Sequence, residues 1–150
     1  MKTISEVMSR DAVSVTPDDN IRRAAELMKD LDIGALPVTE NNHVIGMITD
    51  RDITIRATAE GLGPEDTQVT AVMSAEICQC YEDQTLDEVM RDMGLAQVRR
   101  IPVVTRGEHA LVGIVSLADL TQADADGEET LETLREISSP MPVGREAVRM

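Results

Sequence analysis

The sequence predicts an α+β (α/β) protein made of two β-α-β-β-α repeats, packed about a pseudo-two-fold through their sheets. Three observations predict it. Val7-Met8-Ser9 returns as Val72-Met73-Ser74, and Leu36-Pro37-Val38 as Ile101-Pro102-Val103, both at a shift of 65 residues. Between these anchors Ile21, Ala24, Ala25 and Met28 are matched by Leu86, Val89, Met90 and Met93. Each set has the i, i+3, i+4, i+7 spacing of an amphipathic helix. Gly46-Met47-Ile48-Thr49 is then matched by Gly113-Ile114-Val115-Ser116 at a shift of 67, the two extra residues falling in the polar turn Arg106-Gly107-Glu108-His109. A copy of about 60 residues has only a marginal core of its own, and pairing two copies through their sheet faces removes that weakness.

Taken in order, the first copy starts with a short strand near Val13–Thr16, answered by one near Ile77–Tyr81. The turns Pro17-Asp18-Asp19 and Glu82-Asp83-Gln84 follow. Asp19 or Asn20, and Thr85, are the candidate N-caps of the amphipathic helices, because short polar side chains accept hydrogen bonds from the free N–H groups of a first turn. Strands at Leu36–Thr39 and Val44–Ile48 face each other across Asn41-Asn42, a hairpin signal. Their counterparts are Ile101–Thr105 and Leu111–Val115. A second helix begins after Thr49 and after Ser116. The connector 57–71 carries Gly61, Gly63 and Pro64, which end the first copy. The domain organisation is therefore 1–64, 65–122 and an acidic tail 123–150. In that tail Glu128–Ile137 has helical character, and Pro140, Pro142 and Gly144 suit a loose end.

Composition narrows the function. Fourteen basic against 28 acidic residues give a formal charge of −14. Phosphate backbones select positive faces, so nucleic acid is not the expected partner. One Tyr (Tyr81) with no Phe or Trp leaves no base-stacking platform and an aliphatic core. Nine Met fill its gaps. The stripe Met28, Met90 and Met93 reads as core between repeats or subunits. No apolar run approaches membrane-spanning length, and the first 20 residues show no signal-peptide pattern. Cys78 and Cys80 cannot form a disulfide framework, so a cytoplasmic location is expected.

The motif with chemical content is Gly-x-x-Thr/Ser-x-x-Asp, present as Gly46…Thr49…Asp52 and Gly113…Ser116…Asp119. One reading is a capping box, in which hydroxyl and acid serve the helix start alone. The other uses the same geometry for a ligand. A helix start offers N–H groups and partial positive charge to phosphate. The hydroxyl reaches a phosphate or ribose oxygen, and the carboxylate accepts from a ribose diol. Leu36-Pro37 and Ile101-Pro102 supply either an apolar wall for a purine or ordinary strand packing. Among the 12 Arg, Arg51 lies inside the first motif and Arg99-Arg100 precede Ile101, where each can serve phosphate or balance an acidic surface. Cys78-Gln79-Cys80 reads as two small buried hydrophobes, or as two thiols on one strand face for a soft metal or redox chemistry. His43 and His109 read as exposed turn residues.

These paired features, four in the same order twice, resemble a tandem pair of CBS (cystathionine beta-synthase) domains, the regulatory unit called a Bateman module. The resemblance covers roughly Ile4–Leu120, and 32–61 is especially similar to small stand-alone bacterial CBS-pair proteins. It implies a non-enzymatic sensor, commonly a homodimer, that takes adenosine-containing ligands (AMP, ADP, ATP, at times S-adenosylmethionine or NAD) in clefts between the repeats. It implies that Asp52 and Asp119 hold ribose, that Thr49 and Ser116 touch ribose or phosphate, and that Leu36 and Ile101 flank adenine, helped by the segments near Ser14 and Cys78. No cofactor is required, the nucleotide being a regulatory ligand, and a regulated protein partner is expected. The competing expectations are a nucleotide-independent dimeric scaffold or stress protein, and a metal or redox sensor through Cys78 and Cys80. No Walker loop or placed nucleophile-base pair points to catalysis.

Overall fold

Asn20 and Thr85 stop two extended segments and start two helices. In the computed structural model, which describes residues 2–123 and 128–138, Asn20 accepts the N–H of Arg23 and starts α1 (Ile21–Leu31). Thr85 likewise accepts from Glu88 and starts α3 (Leu86–Ala96). Both helices end on a left-handed residue, Asp32 and Gln97, whose N–H returns to the last turn. The buried face of α1 is Ile21, Ala24 and Met28 with Leu27 beside it, whereas Ala25, expected on that stripe, is exposed.

Each helix leads into a hairpin. β1 (Ala35–Glu40) is antiparallel to β2 (His43–Thr49), and β4 (Arg100–Val104) to β5 (Leu111–Ser116). Asn41 and Asn42 turn the first hairpin with φ of 52° and 64°, the positive values of a type I′ turn that Asn tolerates. The register slips by one residue after Val38 and again after Val103, so the same bulge is built twice. The leading strands are shorter than expected. Val13–Thr16 contributes one parallel bridge, Val15 to Val38, and Ile77–Tyr81 gives only β3 (Cys80–Tyr81), parallel to β4. After Thr49 the chain forms one α-turn, α2 (Asp50–Asp52), and widens into a π-helical stretch over Ile53–Thr58. Gly61 then bends the chain away at φ 75°. After Ser116 it forms the regular α4 (Leu117–Ala123).

The described chain divides into two units, one of them Val13–Ile77 and the other residues 2–12 with 78–123 and 128–138. The units are therefore offset from the repeats counted in sequence. Backbone pairing explains the offset. Ser9 exchanges two hydrogen bonds with Ile114, and Ile4 and Ser5 donate to the carbonyls of Gln84 and Glu82. In the other unit Ser74 exchanges two hydrogen bonds with Met47, and Val69 donates to Asp19. Each Val-Met-Ser opener thus lies on the hairpin of the other sequence copy. Gly46 and Gly113 permit this approach. A Cβ on Gly46 would lie 2.6 Å from the Ser74 carbonyl oxygen, and one on Gly113 would lie 2.8 Å from that of Ser9.

The Val13–Ile77 unit is centred on Val15, Ile21, Ala24, Leu36, Val38, Ile48, Val69 and Val72. In the other unit Val89, Met90, Met93, Ile101, Val103, Val115 and Leu120 are fully buried. The expected tail helix is α5 (Glu128–Ser138), which lies on α3. Its Thr133 hydroxyl donates to the Met90 carbonyl at 3.1 Å, and the Gln97 amide donates to the Glu136 carbonyl at 2.9 Å. The rest of the expected acidic tail, 124–127 and 139–150 with Pro140, Pro142 and Gly144, lies outside the described residues. Among the described residues no helix is long and apolar enough to cross a membrane.

Candidate functional site

In the first unit the hairpin register sets Ala35 across from Thr49, so the start of β1 adjoins the start of α2. Thr49 is extended, at φ −120° and ψ 163°, as an N-cap must be. Its hydroxyl accepts the Asp52 N–H at 3.0 Å, and Asp52 Oδ2 accepts the Thr49 N–H at 2.9 Å. Asp50 N–H donates to the Gly34 carbonyl at 2.9 Å, tying the helix start to the strand start. Thr49 and Asp52 are buried, with 1% and 6% exposure. The second carboxylate oxygen, Oδ1, accepts no hydrogen bond from a described residue and lies 3.8 Å from Arg56 Nε.

The second unit repeats this. Arg100 stands across from Ser116. The Ser116 N–H donates to Asp119 Oδ2 at 3.0 Å, and the Asp119 N–H to Ser116 Oγ at 3.2 Å. Leu117 N–H donates to the Arg99 carbonyl at 2.7 Å, the counterpart of the Asp50–Gly34 bond. Ser116 and Asp119 are half-buried. Both acids therefore use one oxygen as a cap and keep the other, which is the geometry a dual role demands.

The remaining expected residues are placed as follows. Leu36 and Ile101 have no exposed surface, and Leu36 belongs to the core cluster, so in this structure their side chains serve packing. Pro37 and Pro102 are buried beside them. Arg51 and Arg99 are exposed and Arg100 is half-buried. The Ser14 hydroxyl meets the Thr39 hydroxyl at 2.9 Å. The ladder places Val15 opposite Val38 and Cys80 opposite Val103, so the counterpart of Ser14 is Gln79, whose amide lies 3.4 Å from His109 Nδ1. Cys78 corresponds to Val13. The one-residue difference follows from strand register, which spacing alone does not fix.

Sequence reasoning also passed over Thr39 and Arg56. The i, i+4 spacing of Asp52 and Arg56 was a readable signal for the latter. His109, expected as an exposed turn residue, is half-buried at φ 54°, its ring 5.7 Å from Tyr81. Arg106 covers that Tyr ring at 4.3 Å and pairs with Asp83, whose carboxyl its hydrogen bonds hold below the usual range. His43 is exposed.

Cys80 is buried and Cys78 half-buried. Burial first, then the negative charge of Asp92, pushes the Cys78 thiol up to about 11. Burial, the Cys78 thiolate and Asp92 push Cys80 up to about 12. Both are thus thiols at neutral pH, and the thiolate is the form that binds metal or reacts. Among the described residues no group of three or more His, Cys, Asp or Glu is placed to hold a metal ion.

Two units, each closing an open hairpin with a hydroxyl–acid helix start, define a paired-repeat regulatory module. The CBS domain matches twice, over residues 4–57 and 69–126, and the chain belongs to the CBS domain family as a CBS domain pair. It is 37% identical over 138 residues to the CBS domain-containing protein YhcV of Bacillus subtilis, covering 92% of this chain and 96% of that one. It is 33% identical to hypoxic response protein 1 of Mycobacterium tuberculosis, covering 94% and 97% of the two chains. The crystal structure of Hypoxic Response Protein I with two coordinated zinc ions superposes with a TM-score of 0.74 at 34% identity, covering 81% of this chain and 98% of that chain. The CBS domain pair of protein MJ0100, in complex with 5′-methylthioadenosine and S-adenosyl-L-methionine, shares the fold at a TM-score of 0.72 and 22% identity, over 82% and 95% of the two chains.

Proposed function

We propose that this protein is a non-enzymatic sensor that binds an adenosine-containing nucleotide at the helix starts of Thr49–Asp52 and Ser116–Asp119. The observation that carries the reading is the duplicated reciprocal cap. In each unit hydroxyl and acid lock one another through one carboxylate oxygen, and the other oxygen accepts no hydrogen bond from a described residue. That oxygen is an acceptor for a ribose hydroxyl, while the flanking N–H groups and Arg51, Arg99 and Arg100 suit phosphate. Ligand binding then shifts an equilibrium in a homodimer or a regulated partner, to the extent that it prefers one arrangement. Calorimetry of the full chain with AMP, ATP, NAD and S-adenosylmethionine tests it. Saturable binding that weakens in Asp52→Asn and Asp119→Asn is expected, and no binding of any of the four at millimolar concentration overturns it.

A specific observation favours a second reading, a nucleotide-independent scaffold. Both acids already have work as caps, and Leu36 and Ile101 are wholly occupied in packing. Under that reading Asp→Asn, which keeps a cap acceptor, changes neither stability nor partner binding.

A further inference from the structure

The two half-sites differ at one position. Asp52 has a side chain only 8% exposed. Arg56, four residues on in the π-helical stretch, brings Nε to 3.8 Å from Asp52 Oδ1. That distance is too long for a hydrogen bond, so the guanidinium attracts Oδ1 electrostatically without occupying its lone pairs. The guanidinium is itself held, because Nη1 donates to the carbonyls of Val72 and Met73, at 3.3 Å each. The residues that carry those carbonyls are held by their own N–H bonds to the Val69 carbonyl, and the next residue, Ser74, by its backbone pair with Met47. In the second unit the residue four places after Asp119 is Ala123. Among the described residues no Lys, Arg or His nitrogen of that unit forms an ion pair with Asp119, which is more open to water.

We propose that Arg56 is a positioning residue that holds the Asp52 carboxylate oriented toward a ribose diol, so that the two half-sites depend on different means to place the same acid. The proposal rests on the nucleotide reading above. In the first unit a clamped guanidinium faces the free oxygen of the carboxylate, and in the second unit no described side-chain cation does. Neutralising Arg56 therefore weakens the first half-site alone. A π-turn inside a helix is rare and tends to mark functional positions, which agrees with its occurring here and not in α4.

The experiment is calorimetric titration of the full chain with AMP, in backgrounds that isolate each half-site. In Asp119→Asn, Arg56→Gln keeps a donor for the carbonyls but removes the charge, and AMP affinity is expected to fall by roughly three- to tenfold. Arg56→Lys, which restores the charge, is expected to return within about twofold of the parent. In Asp52→Asn, Arg56→Gln is expected to leave AMP affinity within about twofold, because the acid it serves is gone. Thermal unfolding of each variant confirms that it is folded. If the parent binds AMP and Arg56→Gln matches it in the Asp119→Asn background, or if Arg56→Gln weakens binding equally in both backgrounds, the assignment of Arg56 is overturned alone. If the wild-type chain takes up no AMP, the nucleotide reading falls and this inference with it.

Discussion

Thr49 and Asp52 hold one another by two hydrogen bonds in a site with almost no access to water, so neither can be lost cheaply. Thr49→Ala leaves the Asp52 N–H unpaired and should cost about 1–2 kcal/mol, whereas Thr49→Ser should be nearly neutral. Ser116→Ala removes the same bond from a half-buried site where water substitutes, so a smaller loss is expected; urea denaturation of the three variants gives the order. The cysteines make a second prediction at this scale. Their folded values, about 11 and about 12, lie above the ordinary thiol value of 9.0. The sign follows directly. Below pH 9 both states carry the thiol and nothing changes. Above it the unfolded chain loses protons first, so stability falls as pH rises from about 9 toward 12. Alkylation by iodoacetamide in the folded protein should accordingly be slow at pH 8 and accelerate only near pH 11, and rapid modification at pH 8 would contradict the burial described.

The elements that carry the motif are hairpins held against a short partner segment, and Gly46 and Gly113 are where that contact is closest. Gly46→Ala drives a methyl carbon against the Ser74 carbonyl, a backbone atom that cannot swing aside, and should destabilise by about 1–3 kcal/mol. At Gly113 the 2.6 Å neighbour is the flexible Met8 thioether, with the Ser9 carbonyl at 2.8 Å behind it, so the cost should be lower but not nil. The measurement is the urea midpoint of each single variant. The glycine in Gly-x-x-Thr/Ser-x-x-Asp is thus explained by strand approach rather than by the ligand. Hairpins, amphipathic helices and caps were all legible in the residues, because local spacing and short polar caps act within one turn. The π-helical widening at Ile53–Thr58 and the reduction of the leading strands to a single bridge and a two-residue strand were not legible. Both depend on what packs against them.

At the scale of the chain, the openers Val7-Met8-Ser9 and Val72-Met73-Ser74 pair with the hairpin of the opposite copy. Deleting residues 1–12 should therefore expose the β5 edge and the segment before α3, while Val13–Ile77 keeps its own pairings. Hydrogen exchange should show lost protection at 111–116 and retained protection at 44–49, and the reverse pattern would refute the partition. The duplication, the order of elements and the twin hydroxyl–acid caps followed from residue type and spacing, since those depend on contacts three or four residues apart. Which opener lies on which hairpin, that Gln79 rather than Cys78 answers Ser14, and that Leu36 is spent on the core were settled only by folding. Strand register and side-chain burial are set by segments distant in the chain, and no local pattern of residues encodes them.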